Sequence, residues 1–280
     1  MNTSTDSPIV LITGCSSGIG LAAAEHMRSL GWTVRPTARK PADLDMLRNK
    51  GFDPIELDVM SSDSIHAALA TVGDRLDGLV NNAGYGQPGA LEDLTRDAMR
   101  RQFETNVFGL QELTNAVLPH MLPRKHGRIV HISSVVGRVA LPFLGIYSAT
   151  KFAVEALADA QRVELRGTGI RISLVEPGPI VTRFSENAAG MTREDVNLNS
   201  SRFADLYRRE LDTRAGPKRT KPFALPPEAV ARKIAHALTA PRPRTRYHVT
   251  LPATLGALMS RMAPDSLIDG ILGRELERRR

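Results

Sequence analysis

Ile9-Val10-Leu11-Ile12-Thr13-Gly14-Cys15-Ser16-Ser17-Gly18-Ile19-Gly20 reads as a strand that runs into a glycine-rich turn and leaves it as a helix. Four apolar residues without polar alternation suit a strand buried on both faces, as in a parallel sheet. The glycines permit a sharp reversal, close approach of the backbone to a ligand, and tight packing of helix on strand. Unpaired N–H groups and the positive end of the dipole at the helix start favour an anion such as a pyrophosphate. With a strand before the turn and a helix after it, Gly14, Ser16, Ser17, Gly18, Ile19 and Gly20 are candidate contacts to a dinucleotide phosphate. Cys15 reads as a small loop filler, because no base or second cysteine stands beside it.

Outward from this turn, short apolar runs alternate with helix-length amphipathic stretches. Helical pattern covers 18–30, 42–49, 62–72, 95–122 and 147–166, and strand pattern covers 33–37, 54–57, 78–81, 128–132 and 171–175. Such alternation implies right-handed crossovers and one α/β domain, a doubly wound parallel sheet with helices on both faces. After Glu176 the pattern loosens. Residues 178–201 read as a flexible polar insertion and 214–227 are rich in Pro and Lys, together suggesting a substrate loop over about 183–225. A helix at 227–238 and a strand at 247–251 complete the sheet edge. The reading therefore sets a disordered N-terminus at 1–7, the domain at 8–252, and a basic amphipathic extension at 253–280. In that extension Leu255, Leu258, Met259 and Met262, then Leu267, Ile268, Ile271 and Leu272, suggest two short amphipathic helices.

Composition narrows the class. Hydrophobic residues make up 42% of the 280 and charged residues 24%, which fits a globular chain rather than a disordered one. A lone cysteine forbids an internal disulfide and a multi-cysteine zinc site, and it suits a reducing compartment. The first six residues lack a secretory pattern and no apolar run approaches membrane-spanning length, so a cytoplasmic protein is expected. The net charge of +7 is uneven: 1–200 carry −2 and 201–280 carry +9. The basic excess reads as a solvated arginine-rich surface, without the aromatic interleaving of a nucleic-acid site. Contact of the tail with a membrane surface is the sharper alternative to packing on the domain. The seven histidines show no ligand-like pair, and no metal is expected.

Two further clusters carry chemistry. A site that reads the ribose 2′-hydroxyl of NAD places Asp or Glu about 20 residues past the glycines. Here the second strand ends Thr37-Ala38-Arg39-Lys40, without a carboxylate. Arg39 and Lys40 stand where a 2′-phosphate would lie, and the planar guanidinium makes Arg39 the better candidate. A pair of solvated loop cations is the alternative. Further on, Tyr147 and Lys151 in Tyr-Ser-Ala-Thr-Lys share one helix face at i, i+4. An adjacent ammonium lowers a phenol's pKa and gives a usable acid/base. Ser133-Ser134 ends the strand before them, at the sheet end where open α/β folds bind ligands.

Taken in order, the glycine turn, Asn81-Asn82-Ala83-Gly84, Ser134, Tyr147 with Lys151, and Glu176-Pro177-Gly178-Pro179-Ile180-Val181-Thr182 resemble the short-chain dehydrogenase/reductase family, in its compact single-domain branch with a Rossmann fold. The likeness covers about residues 8–185. It implies that Tyr147 is the acid/base, that Lys151 assists it and binds the nicotinamide ribose, and that Ser134 orients the substrate carbonyl. It implies that Asn106 holds a water in a proton relay. Asp58 and Val59 would meet the adenine, Asn82, Ala83 and Gly84 the adenosine side, and Pro177, Gly178, Ile180 and Thr182 the nicotinamide. Glu176 takes a strand-end position rather than that of a second acid.

The stretch 134–155 resembles bacterial NADP-dependent aldehyde reductases and the 17β-hydroxysteroid and retinol dehydrogenase-like subgroup. That likeness implies NADP(H) in preference to NAD(H), hydride transfer to or from a small apolar carbonyl/alcohol pair, and a homo-dimer or tetramer. Two alternatives stay open: an NAD(H)-dependent hydroxysteroid- or retinol-type alcohol dehydrogenase, and a non-catalytic dinucleotide-sensing scaffold.

Overall fold

The computed structural model describes residues 7–197, 200–215 and 222–279. The expected N-terminal disorder therefore falls, apart from Ser7, outside the described residues, as do parts of the expected loop at 198–199 and 216–221. Strands β1 (Ile9–Ile12), β2 (Thr33–Ala38), β3 (Ile55–Glu56), β4 (Gly78–Asn81), β5 (Gly127–Ile132), β6 (Ile170–Glu176) and β7 (Arg246–His248) form one sheet. The order is β3-β2-β1-β4-β5-β6-β7 and every pairing is parallel. The winding reverses between β1 and β4, which opens a ligand crevice at the carboxyl ends of those strands.

Successive residues of each strand feed two separate cores. Val10, Ile12, Val80, Val130, Ile132 and Val175 pack on one face with helices α1 (Gly18–Ser29), α2 (Pro41–Asn49) and α9 (Pro227–Thr239). Leu11, Leu79, Ile129 and Leu174 pack on the other with α3 (Ser62–Val72), α5 (Gly109–Met121) and α6 (Gly145–Glu164). Strands covered on both sides need apolar residues at every position, which explains the unbroken run at 9–12.

Three expectations need correction. The helix expected over 95–122 is α4 (Arg96–Phe103) and α5 joined by one π turn, Glu104–Phe108. There Gly109 is pressed on the Val59 carbonyl, where a Cβ would overlap it. The expected loop over about 183–225 is helical over much of its described length, with α7 (Phe184–Asp195) and α8 (Ala204–Ala215) inside it. Ala188, Thr192 and Val196 recur every four residues and are buried, with Val196, Phe203, Leu206 and Tyr207 joining Leu94 and Ile146 in a third cluster. The last strand stops at His248, because Thr250 caps α10 (Leu251–Met262) by accepting from the Ala253 N–H at 3.3 Å. The boundary at 252 thus falls inside α10. Helix α11 (Asp265–Arg279) follows, so the tail does hold two helices.

Candidate active site

The glycine turn is shaped by three different demands. Gly14 and Gly18 have φ of +71° and +58°, a region that side chains disfavour. Gly20 is set by packing, since a Cβ there would meet the Gly14 carbonyl and stand 2.6 Å from Asn82 Nδ2. Asn82 ties the turn to β4 by donating from Nδ2 to the Thr13 and Gly14 carbonyls at 2.8 and 3.0 Å. Thr13 Oγ1 answers by accepting from the Asn82 and Ala83 N–H groups. Ser17, which opens α1, makes no side-chain cap, and the first turn holds no acidic residue. The first turn therefore offers its backbone N–H groups and a positive dipole with no competing carboxylate, which fits a dinucleotide phosphate.

At the end of β2, Arg39 is 60% exposed along its side chain and lies 3.5 Å from Asp58 Oδ2. Asp58 also accepts from the Met60 N–H at 3.0 Å. Asp53, another carboxylate near this edge, is taken up by an ion pair with Arg35. Val59 is buried beneath α5. Arg39 is an exposed cation at the end of β2, paired with Asp58, and Lys40 just beyond it opens α2.

Ser134, Tyr147 and Lys151 converge beyond β5. Ser134 caps a short 3-10 turn at Val135–Gly137, its hydroxyl accepting from the Val136 N–H at 3.3 Å and donating to the Pro177 carbonyl at 3.4 Å. Tyr147 stands in the first turn of α6, and Lys151 one turn on places its Nζ 5.6 Å from the phenol ring centre. That Nζ donates to the Ile132 carbonyl at 2.7 Å, so the strand end fixes the ammonium. Asn106 sits in the π turn, accepting from the Tyr85 N–H at 3.1 Å and donating to the Tyr85 carbonyl at 2.9 Å and Thr150 Oγ1 at 3.2 Å. Gly84 is needed beside it, because a Cβ would stand 2.9 Å from Asn106 Oδ1.

One electrostatic expectation is reversed. Burial pushes the Tyr147 phenol up to about 12, and only the Ser134 hydroxyl pulls it back. The Lys151 ammonium is itself pushed down to about 8 by burial, with Glu155 opposing. Desolvation is the largest influence on both groups in this arrangement. The phenol is thus protonated at neutral pH and ready to donate.

The loop after β6 closes the crevice. Gly178 passes under Thr250, whose hydroxyl fills the place of a side chain, and the Thr182 methyl lies 3.1 Å from where a Gly18 Cβ would stand. Ile180 bridges to Leu225, and Pro177 accepts from Ser134. Among the expected site residues, those of the glycine turn, Asn82–Gly84, Ser134, Tyr147, Lys151 and 177–182 are linked by these contacts. Arg39, Asp58 and Val59 lie along the adjoining β2–β3 edge.

Two features escaped the sequence. Phe184 packs on Tyr147 with ring centres 5.5 Å apart and fills the space beside Gly86, so α7 covers the phenol. Behind Lys151, Glu155 and Glu176 are buried among Arg138, Arg246 and His248. The i, i+4, i+8 spacing of Tyr147, Lys151 and Glu155 is the signal that could have found the second.

Comparison with known proteins agrees with this geometry. The short chain dehydrogenase family model matches residues 8–192. The chain is 40% identical over 267 residues to YbbO of Escherichia coli K12, an uncharacterized oxidoreductase, covering 94% of this chain and 93% of that protein. Human retinol dehydrogenase 8 is 36% identical, with 86% and 81% covered. A short-chain dehydrogenase from Streptomyces avermitilis superposes with TM-score 0.75 at 32% identity, covering 98% of both chains. Serine dehydrogenase with NADP+ (TM-score 0.74, 26% identity, 86% and 94% covered) and a Burkholderia phymatum family member with NAD (0.73, 26%, 94% of each) share the fold. The chain belongs to the short-chain dehydrogenase/reductase family. It is an oxidoreductase of that family that uses a nicotinamide dinucleotide. No helix among the described residues is long and apolar enough to cross a membrane.

Proposed function

We propose that this enzyme interconverts an apolar carbonyl and its alcohol with NADP(H). The observation that carries the reading is the convergence of Ser134, Tyr147 and Lys151 at the end of β5, beside the glycine turn and across from Pro177–Thr182. The bound dinucleotide supplies or accepts hydride. Ser134 hydrogen-bonds the substrate oxygen, and Tyr147 donates the proton in reduction, for which a buried, protonated phenol is suited. Lys151 orients the ribose and stabilises the phenolate left behind. Asn106 holds the backbone at Tyr85 beside Thr150 and positions the relay water.

Arg39 supports NADP(H), since it presents a guanidinium at the β2 end where a carboxylate would favour NAD(H). Asp58 and Val59 would border the adenine, Asn82–Gly84 the adenosine, and Pro177, Gly178, Ile180 and Thr182 the nicotinamide. An apolar ligand is supported by Phe184 against Tyr147 and by Phe143, which packs edge-on against Phe203 and Tyr207. Retinol dehydrogenase 8, a relative named for an apolar alcohol, points the same way. A homo-oligomer in the cytoplasm completes the proposal, with Phe108 (54% exposed) and Phe152 (44%) offering apolar surface beside α5 and on α6.

A screen of aldehydes, ketones and alcohols of graded chain length, followed by NADPH absorbance, tests the reading. Activity rising with chain length is expected. Turnover confined to charged or short polar substrates, or to NADH alone, overturns it.

A further inference from the structure

A buried charged cluster lies directly behind Lys151. Glu155, one turn further along α6, sits 3.1 Å from Arg138 Nη2 and 3.2 Å from Arg246 Nη2. The same two arginines reach Glu176 Oε1, each at 3.2 Å, while His248 Nδ1 stands 2.9 Å from Glu176 Oε2. Asp159 holds Arg246 at 2.6 Å from the outer side of α6. Glu155 and Glu176 are buried, and Ser133 Oγ faces Glu155 without closing a full hydrogen bond. Gly137 makes room for this approach, since a Cβ there would stand 2.9 Å from Ser133 Oγ and 3.2 Å from Lys151 Cβ.

Buried ion pairs rarely add stability over apolar packing, because desolvation consumes most of the attraction. A cluster placed one helical turn behind a buried ammonium calls for another use. We propose that Glu155, clamped by Arg138 and Arg246, is a positioning residue that supplies the counter-charge to the Lys151 ammonium. The proposal rests on the role given to Lys151 above.

Tyr147 and Glu155 flank Lys151 on α6, and His131 on β5 feels its charge. Arg138 from the turn after β5, Glu176 from β6, and Arg246 and His248 from β7 belong to the cluster around Glu155 behind it. Glu155 opposes the burial that drives Lys151 down. Burial and Glu176 push the Glu155 carboxyl up, and the two arginines and Ser133 hold it down. Removing Glu155 would take away the charge that opposes the burial of Lys151, whereas removing Arg138 would leave a carboxylate still held by Arg246 but shared with one guanidinium fewer.

The test is the pH profile of kcat/KM for carbonyl reduction in the intact enzyme. Burial pushes the Lys151 ammonium down to about 8 and the Tyr147 phenol up, so loss of the lysine proton should set the first alkaline limb. Glu155→Gln should move that limb down by about one pH unit, and Arg138→Gln should move it up by about half a unit. Asp159→Asn, which loosens Arg246 from the outer side, should lower Tm and leave the limb in place. Glu155→Gln that folds with the limb unmoved, or Asp159→Asn that shifts it equally, overturns the proposal. If Glu155→Gln does not fold, Arg138→Gln decides, since an unmoved or lowered limb refutes it. Lys151→Ala separates the two levels: full turnover in that variant removes the role of Lys151 itself, whereas its loss with an unmoved limb in Glu155→Gln removes only the role of Glu155.

Discussion

His131 should make this protein acid-labile by a calculable amount. The side chain lies on β5, fully buried, with Nδ1 3.1 Å from Asn81 Nδ2. Asn81 Nδ2 also donates to Thr114 Oγ1 at 2.8 Å, which orients the amide so that it donates to the ring. Nδ1 is therefore an acceptor, and a proton there would point at an N–H. Burial, reinforced by the Lys151 charge, pushes the imidazole from 6.5 down to about 4. The folded-state pKa is depressed, so the stabilisation is present in full above 6.5 and is lost as pH falls through 4. Between pH 7 and pH 5 the unfolded chain takes up a proton that the native state refuses, which costs about 2 kcal/mol. At pH 4 the loss reaches about 3 kcal/mol. Urea unfolding of wild type and His131→Gln at pH 7, 6 and 5 measures this. The glutamine carbonyl can still accept from Asn81, so the variant should lose about 2 kcal/mol less than wild type over that range. Parallel stability curves for the two proteins would show that His131 titrates freely and that the assigned tautomer is wrong.

Three other outcomes follow from the site. Tyr147→Phe should lower kcat by about a hundredfold or more while NADPH affinity, measured by fluorescence titration, stays within a few-fold, because the ring still packs on Phe184 but has no proton to give. Arg39→Asp should weaken NADPH tenfold to a hundredfold, about 1.5–3 kcal/mol for a charge-assisted contact, and leave NADH level or better. An unaltered kcat/KM ratio for the two cofactors, at one fixed ionic strength, would make Arg39 an ordinary surface cation. Truncation after Ala263 removes α11, whose Leu276 packs by Phe203 and Tyr207, and should raise substrate KM more than cofactor Kd. Loss of NADPH binding in a folded truncate would contradict the placement of α11 on the substrate side.

The elements most legible in the sequence are those whose burial is local in pattern. Residues 9–12 and 78–80 run as unbroken apolar or small residues because both faces are covered, and β1 and β4 form over them. The helix pattern at 62–72 rests on the apolar period of Ile65, Ala68, Leu69 and Val72, and the structure adds a cap, the Ser61 hydroxyl accepting from the Ser64 N–H. Helix α7 was hidden because its inward face is Ala188, Thr192 and Val196, two of them small or polar. The π turn could not be read locally. It goes with Gly109 against Val59 and Asn106 bonded across to Tyr85 and Thr150, partners far away in sequence. Reading Tyr147 and Lys151 as a pair gave their place but the wrong sign for the phenol, since spacing reports proximity and not the dielectric around it.

Edge strand β7 shows why the end of the site and the end of the domain do not coincide. Its three residues bring Arg246 to Glu155 and Glu176, and His248 to Glu176. Two residues later Thr250 stands over Gly178 and caps α10, and Gly256 brings that helix against Val135, where a Cβ would be 2.8 Å away. One short segment thus braces the back of α6, the loop beyond β6 and the turn beyond Ser134 at once. A parallel strand at a sheet edge needs pairing on only one side, so its remaining surface is free to carry charged groups inward. Those charges reach the buried cluster only because β7 is the last strand laid down beside β6. The chemistry assigned to residues before 183 therefore depends on a segment some 60 residues further along the chain.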